Sequence, residues 1–453
     1  MTKYWVAGAV LLAAVAQAGE ANVKGSVKLL TLDPGHFHAS LVQKLMYEQV
    51  DPVVRVYSPG GADLAEHLKR IEGFNTRAEN PTRWDEKVYT GGDFFEKMVA
   101  EKAGNVVVIS GNNAKKTRYI LGAVDAGFNV LADKPMAITP EDLERLRKAF
   151  AHAQEKGVLL YDIMTERSEI TTVLQKELSH LPEVFGTLQP GTPQRPSVTK
   201  ESVHHYCKTV AGNPLKRPAW FFDTHQQGEG IVDVTTHLVD LIQWECFPEV
   251  TLDGERDVKM LSARRWTTKI APAQFKKVTG LESYPGYLKN DTDGEGALNV
   301  YANGEFTYTL KGVHAKVSVA WNFEPPEGAG DTHYSMMRGT KAELVIRQGA
   351  DQQYKPTLYV EPLPDQIGEA FDKTLAAAIA KLTGTYPGVE IKKFANGWEI
   401  VIPEKYKNGH EAHFGQVTER FLRYLADGKL PAWEVPNMLA KYYTTMEAYR
   451  MSR

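Results

Sequence analysis

Between residues 26 and 164 the chain alternates short apolar runs with stretches of helical periodicity, and that alternation limits the fold more than any other feature. The runs are Ser26–Leu32, Pro52–Tyr57, Lys87–Thr90, Asn105–Ser110, Asn129–Ala132 and Gly157–Met164. Helices are expected over Ala39–Tyr47, Ala62–Ile71 and Asp93–Glu101, then, after Gly111-Asn112-Asn113, a helix to Ala126. Another starts at an N-cap, Thr139, with Glu141 and Asp142 in its first turn. Asn105–Ser110 is nearly all apolar, which suits a parallel strand covered on both faces. The pattern predicts an α/β fold with a doubly wound parallel sheet of the dinucleotide-binding kind. Such sheets bind ligands beyond the carboxyl ends of their strands, where Gly35, Ser58, Ser110, Asn113 and Lys134 stand.

After residue 164 the period changes. Ser168–Leu178 reads as a helix. Longer alternating runs follow at Val258–Ile270, Ala297–Lys311, Ala315–Phe323, Ser335–Arg347 and Glu390–Ile402. They predict a largely antiparallel open sheet with one face covered. His410–Asp427 and Val435–Met451 read as terminal helices. The expected organisation is a leader over 1–18, a dinucleotide-binding domain over 26–164 and a substrate-binding α+β domain over 165–453.

The turn after the first run, Asp33-Pro34-Gly35-His36-Phe37-His38, keeps one glycine of the usual three. Gly35 can still let a phosphate approach a helix N-terminus. His36 and His38 can donate hydrogen bonds to phosphate or cap the helix. If they bind phosphate, NAD affinity should weaken between about pH 6 and pH 8. Two histidines one residue apart also allow a metal reading; no metal is assigned. Ser58 stands where an acidic residue would hold the ribose, and no arginine is nearby for a 2′-phosphate, so NAD is favoured over NADP.

A second constellation lies in Gly228–Asp240, where a glycine-containing turn enters an apolar helix carrying Asp233, His237 and Asp240. Spacings of four and three residues stack all three on one helix face. A carboxylate one turn from an imidazole can orient the ring and raise its basicity, as a general base requires. The bland alternative is a buried helix whose histidine and aspartate satisfy each other.

With 43% apolar and 24% charged residues, the composition fits a folded globular chain. The net charge of −3, without a basic run carrying aromatics, argues against nucleic acid as a partner. Lys3, the apolar stretch Val6–Val15 and the Ala16-Gln17-Ala18 motif follow the order of a secretory signal peptide. An exported, periplasmic or extracellular protein is expected, starting near Gly19 and not inserted in the membrane after cleavage. Only Cys207 and Cys246 are present, and sequence does not decide whether they pair.

Taken together these stretches resemble the glucose–fructose oxidoreductase/inositol dehydrogenase (Gfo/Idh/MocA) family. The family's Glu-Lys-Pro after the fifth strand reads here as Asp133-Lys134-Pro135, preceded by Ala126-Gly127-Phe128-Asn129-Val130-Leu131. Its glycine turn with Asp-x-x-x-His-x-x-Asp reads as Gly228, Gly230, Asp233, His237 and Asp240. Its Thr-Pro-Asn after the fourth strand appears as Gly111-Asn112-Asn113, with Lys116 where a histidine is common. The chain departs from the family at the glycine fingerprint and at Ser58. The resemblance implies a Rossmann domain followed by an α/β domain with an open antiparallel sheet, whose free face could join copies into a homo-oligomer. It implies a retained NAD held by Gly35, His36, Phe37, His38, Ser58, Ser110, Asn113, Lys116, Asp133 and Lys134.

The resemblance also implies oxidation or reduction of a secondary hydroxyl on a sugar, glycoside or polyol by hydride transfer. His237 would be the base, Asp233 would orient it, and Lys134 would bond the reacting oxygen. Substrate contacts are expected from Tyr161, Glu166, Arg167, His205, Lys208, Trp220 and Asp223, with His204 and Tyr206 nearby. Two other readings stand beside this one. One is a redox-neutral glycosidase that passes through a keto sugar, which suits a compartment poor in free nicotinamide. The other is a sugar-binding Rossmann protein without catalysis, which the degenerate glycine turn would suit.

Overall fold

The computed structural model describes residues 23–453 except 211 and 212. The expected leader, residues 1–18, lies outside the described residues. The chain forms two compact units. The first runs to Thr165 and takes in His225–Gly228 and His410–Tyr442. The second comprises Glu166–Thr224, Glu229–Gly409 and Tyr443–Arg453. A single cut at residue 164 would assign the terminal helices to the second domain, whereas by packing most of that segment goes with the first.

The first unit is built on a six-stranded parallel sheet. Its strands are β1 (Leu29–Leu32), β2 (Val53–Ser58), β3 (Asp85–Thr90), β4 (Val106–Ile109), β5 (Asn129–Asp133) and β6 (Leu160–Ile163). The order is β3-β2-β1-β4-β5-β6, the doubly wound order expected. Every residue of β1 and β4 is buried, which accounts for their continuous apolar character. Helices α1 (Ala62–Thr76), α2 (Phe94–Glu101), α3 (Asn113–Asp125) and α4 (Pro140–Lys156) alternate with the strands. Thr139 caps α4 in a capping box with Asp142, and Gly157 ends it in the left-handed region.

The helix expected over Ala39–Tyr47 stops early, at His38–Leu41. Carbonyls that would continue it are taken by side chains. Trp84 Nε1 donates to Gln43 O at 2.5 Å, and Arg77 donates to Lys44 O at 2.7 Å. Tertiary hydrogen bonds here override local periodicity.

The second unit opens with α5 (Ile170–Ser179) and β7 (Val198–His205). Helix α6 is Thr235–Cys246. Then come β8 (Val258–Ile270), α7 (Pro272–Thr279), β9 (Leu298–Leu310) and β10 (Val313–Asn322). They are followed by β11 (Thr332–Arg338), β12 (Ala342–Gln348) and β13 (Thr357–Pro362). Helix α8 (Glu369–Leu382), β14 (Glu390–Phe394) and β15 (Gly397–Val401) complete it. The nine strands run in the order β8-β9-β10-β7-β11-β12-β13-β15-β14. Only the β7–β10 pair is parallel, so the sheet is mixed and largely antiparallel.

Two runs read as single strands are hairpins. Ser335–Arg347 folds back at Gly339, where a Cβ would stand 2.0 Å from Phe185 O, so the chain needs a glycine there. Glu390–Ile402 turns at Ala395-Asn396, with Phe394 paired to Gly397 across a two-residue loop. β13, α7 and α8 carry no pattern that the sequence reading singled out.

The last helices are α9 (His410–Asp427) and α10 (Glu434–Met451). α9 closes over β6, where the Tyr161 ring lies 6.2 Å from Phe421 and 5.5 Å from Tyr424. Lys441 Nζ meets Asp162 at 2.6 Å, both fully buried, and Tyr442 donates to the same carboxylate at 3.1 Å. Cys207 and Cys246 are free thiols, and burial pushes both up from the usual thiol range. Among the described residues no helix is long and apolar enough to cross a membrane.

Candidate functional site

In the first unit the strand-end residues converge on Asp133, the last residue of β5. Its Oδ2 accepts from Ser110 Oγ and from His38 Nδ1, each at 2.9 Å, with His36 Nδ1 at 3.7 Å. Phe37 packs its ring between the two histidines in sequence, 4.6 Å from His36 and 4.4 Å from His38. Burial would raise the Asp133 carboxyl, but His38, Lys116 and His36 outweigh it and hold it well below the usual range. Burial, with His38 beside it, holds His36 well below the ordinary imidazole range; burial also lowers His38. Burial thus favours the neutral His36 ring, which opposes the pH dependence expected of it.

The turn is closed on itself. The amides of Gly35 and His36 both donate to Ser110 O, at 3.2 and 3.3 Å. Asp33 adopts φ 44° and its carboxylate accepts from Tyr119 at 3.0 Å and Lys115 at 3.3 Å. The glycine this packing requires is Gly111, where a Cβ would lie 2.4 Å from Asp33 O. Lys116 is buried and donates to Asp133 O at 2.8 Å and Pro135 O at 3.1 Å, so it fixes the carbonyls on either side of Lys134. Lys134 is half-buried and joined to Pro135 by a cis peptide bond. Asn112 caps α3, and Asn113 Nδ2 donates to Gln227 O at 2.7 Å.

These residues fit a nicotinamide dinucleotide unevenly. Ser58 ends β2 buried, its Oγ accepting from Gly60 N at 3.1 Å, which leaves the hydroxyl proton for a ribose oxygen. Gly60 and Gly61, both at φ 92°, keep that end free of side chains. At the pyrophosphate position the amides are already engaged.

In the second unit the glycine turn is pinned to β9. Gly230 N donates to Tyr301 O at 2.9 Å, and a Cβ on Gly230 would lie 1.7 Å from Ala302 O. Asp233 is buried in the turn before α6, and half-buried His237 sits in the helix's first turn. Asp240, the third expected member, is committed elsewhere: its carboxylate takes two hydrogen bonds from Arg167, each 2.7 Å.

Asp233 lies close enough to Arg217 for its charge to act on that guanidinium, and Asp331 does the same. Arg217 is buried, donates to Tyr206 O at 2.9 Å and His205 O at 3.3 Å, and packs over Phe221 and Trp321. Burial pulls it down to about 10. Asp331 accepts from His205 Nδ1 at 2.9 Å and Lys208 Nζ at 2.5 Å, with His204 Nδ1 at 3.5 Å. The His204 ring stacks on Trp321 at 5.0 Å. Burial opposes ionisation of Asp331, but His204 and Lys208 hold it well below the usual carboxylate range.

Of the expected substrate residues, the structure brings His205 and Lys208 together. Trp220 lies half-buried in a short helical turn with its ring 6.5 Å from Phe221, and buried Asp223 donates its amide to Trp220 O. Tyr161 belongs to the core of the first unit, its hydroxyl 3.4 Å from Glu434. Glu166 and Arg167 form a short 3-10 turn, with Arg167 turned to Asp240. Arg217 and Asp331 were missed. Arg217 follows Lys216 in a short stretch bounded by Pro214 and Pro218, and Asp331 closes a glycine-rich loop read only as a connector.

A doubly wound nucleotide unit followed by a mixed-sheet unit defines an NAD(P)-dependent oxidoreductase. The chain belongs to the Gfo/Idh/MocA oxidoreductase family. Residues 35–161 match the family model "Oxidoreductase family, NAD-binding Rossmann fold", and residues 174–453 match "Putative oxidoreductase C terminal domain". Among solved structures, a "putative oxidoreductase" from Parabacteroides merdae is 57% identical, with TM-score 0.93 over 95% of this chain and 98% of its own. A 3-ketoreductase from Actinomadura kijaniata, KijD10, solved with NADP and TDP-benzene, shares 13% identity at TM-score 0.57 over 94% and 97%. A levoglucosan dehydrogenase solved with NADH and levoglucosan shares 13% at TM-score 0.58 over the same fractions. At that identity these two show the fold alone. No curated protein matches the chain significantly.

Proposed function

We propose that the protein exchanges a hydride between NAD and a secondary hydroxyl of a sugar, glycoside or polyol, outside the cytoplasm. The observation that carries the substrate class is the second unit's cluster. The charges of two carboxylates, Asp233 and Asp331, both act on Arg217, which packs over Trp321 with the His204 ring stacked on the same indole. Carboxylates accept hydroxyl protons and aromatic faces pack on C–H surfaces, a combination suited to carbohydrate. In this reading His237 takes the hydroxyl proton and Asp233 orients the ring. The nicotinamide ring supplies the hydride acceptor. Lys134 keeps the end of β5 electropositive. NAD is favoured because Ser58-Pro59-Gly60-Gly61 supplies no cation for a 2′-phosphate. Among proteins that share the fold, a levoglucosan dehydrogenase was solved with NADH and levoglucosan, which is consistent with this reading. Export rests on the order of Lys3, Val6–Val15 and Ala16-Gln17-Ala18.

Mass spectrometry of nucleotide released from denatured protein, followed by turnover on a panel of sugars and glycosides, tests the reading. His237→Ala should lower turnover by about a hundredfold or more while nucleotide binding stays within about twofold. Loss of nucleotide binding with unchanged turnover per bound nucleotide would remove His237 from the role of base.

A further inference from the structure

The pair of histidines on the first turn has a geometry that phosphate binding does not require. His36, His38 and Asp133 each offer one ligand atom, and these atoms lie within 4.8 Å of one another. The Oδ2 of Asp133 is 2.9 Å from His38 Nδ1 and 3.7 Å from His36 Nδ1. Two imidazoles on one tetrahedral ion place their nitrogens about 3.3 Å apart; His36 Nδ1 accepts from the His38 amide at 3.3 Å and would exchange that contact for the ion. A second observation concerns the same carboxylate. Asp133 is 4% exposed, yet its Oδ1 has no hydrogen-bond partner among the described residues. A buried carboxylate oxygen left so is costly unless something else satisfies it.

We propose that His36, His38 and Asp133 bind a divalent transition-metal ion, through His36 Nδ1, His38 Nδ1 and an oxygen of Asp133. Two imidazoles and one carboxylate are a donor set for zinc and its first-row neighbours, whereas magnesium and calcium prefer oxygen alone. The surroundings supply outer partners. Ser110 Oγ donates to Asp133 Oδ2, and His38 Nε2 lies 3.3 Å from Nε2 of His410 at the start of α9. With the ion bound, His38 carries its proton on Nε2 and directs it to His410, the outer hydrogen bond typical of ligating histidines. Without the ion, the His38 proton sits on Nδ1 and bonds Asp133. Three protein ligands leave a fourth position open. The ion adds two positive charges against one carboxylate, at a turn whose Gly35 and His36 amides are already spent on Ser110 O. An anion at this strand end would then meet the ion's charge in place of a glycine-loop amide.

The test uses the tag-free full chain, stripped with a chelator and dialysed. Zinc is titrated calorimetrically, and cobalt is added separately to read its visible bands. The expected result is one ion per chain, with cobalt bands of a four- or five-coordinate site. His38→Gln and Asp133→Asn should each weaken zinc at least tenfold, while His314→Gln, on the second unit, leaves it unchanged. His36→Gln gives a milder second variant should the buried substitutions unfold the chain, and it should also weaken zinc at least tenfold. Absence of stoichiometric zinc in folded parent protein, or zinc binding that His36→Gln leaves intact, would overturn the assignment. Neither readout involves nucleotide or turnover, so the proposal stands or falls apart from the proposed function.

Discussion

Arg167 holds Asp240 through two parallel N–H···O bonds of 2.7 Å, with both side chains almost wholly buried. The carboxylate that sequence spacing groups with His237 is thus half of an internal ion pair joining α6 to the start of the second unit. Removing one partner strands a buried charge. Asp240→Ala should cost about 3–5 kcal/mol in denaturant unfolding. An Arg167→Met/Asp240→Leu double variant should recover most of that. A loss below about 1 kcal/mol for the single variant would show that the pair is solvated in the native state.

Glu86 on β3 predicts a pH dependence of stability. Its Oε1 accepts from Gln43 at 2.6 Å, its Oε2 is buried without a hydrogen-bond partner among the described residues, and burial raises it to about 7. A raised acid contributes stability that is present below its unfolded value and is lost as pH rises through about 7. Glu86→Gln, which mimics the protonated form, should match the parent near pH 4.5. At pH 8 it should exceed the parent by about 3 kcal/mol. Equal stabilities at pH 8, measured by urea unfolding, would contradict the assignment.

Under the proposed function, Asp331 would belong to the substrate side. It engages His205 and Lys208 and faces His204. Asp331→Asn should raise KM about tenfold, a loss of about 1.4 kcal/mol in substrate binding, with nucleotide affinity unchanged. A fall in kcat at constant KM would instead move Asp331 toward the chemistry.

The first unit was readable because its central strands are short, apolar and bounded, and burial on both faces leaves little choice of residue; the exposed edge strand β3 was found by its place in the alternation. Thr139 as the N-cap of α4 and His410 as the start of α9 were legible for the same local reasons. What was hidden depends on distant partners. No window around Ala39 reveals that Trp84 and Arg77 will take the carbonyls of Gln43 and Lys44. Gly339 looks like any strand glycine until Phe185 is packed against it. The site divides likewise. Asp133, Lys134, Asp233 and His237 sit in recognisable local patterns. Arg217 and Asp331 gain meaning only beside Asp233 and His205, residues far away in the chain.

The ion pair between Asp162 and Lys441 has a consequence for the order in which the protein is made. Tyr442, next to that lysine, donates to the same carboxylate from 280 positions downstream. At about 5–20 residues per second, the ribosome needs on the order of 15–60 s to deliver those partners after β6 has emerged. Through that interval Asp162 has no ammonium, and Tyr161 lacks the rings of Phe421 and Tyr424 that cover it. The nucleotide unit starts to emerge before the second unit, yet it is completed only once Tyr442 has been made.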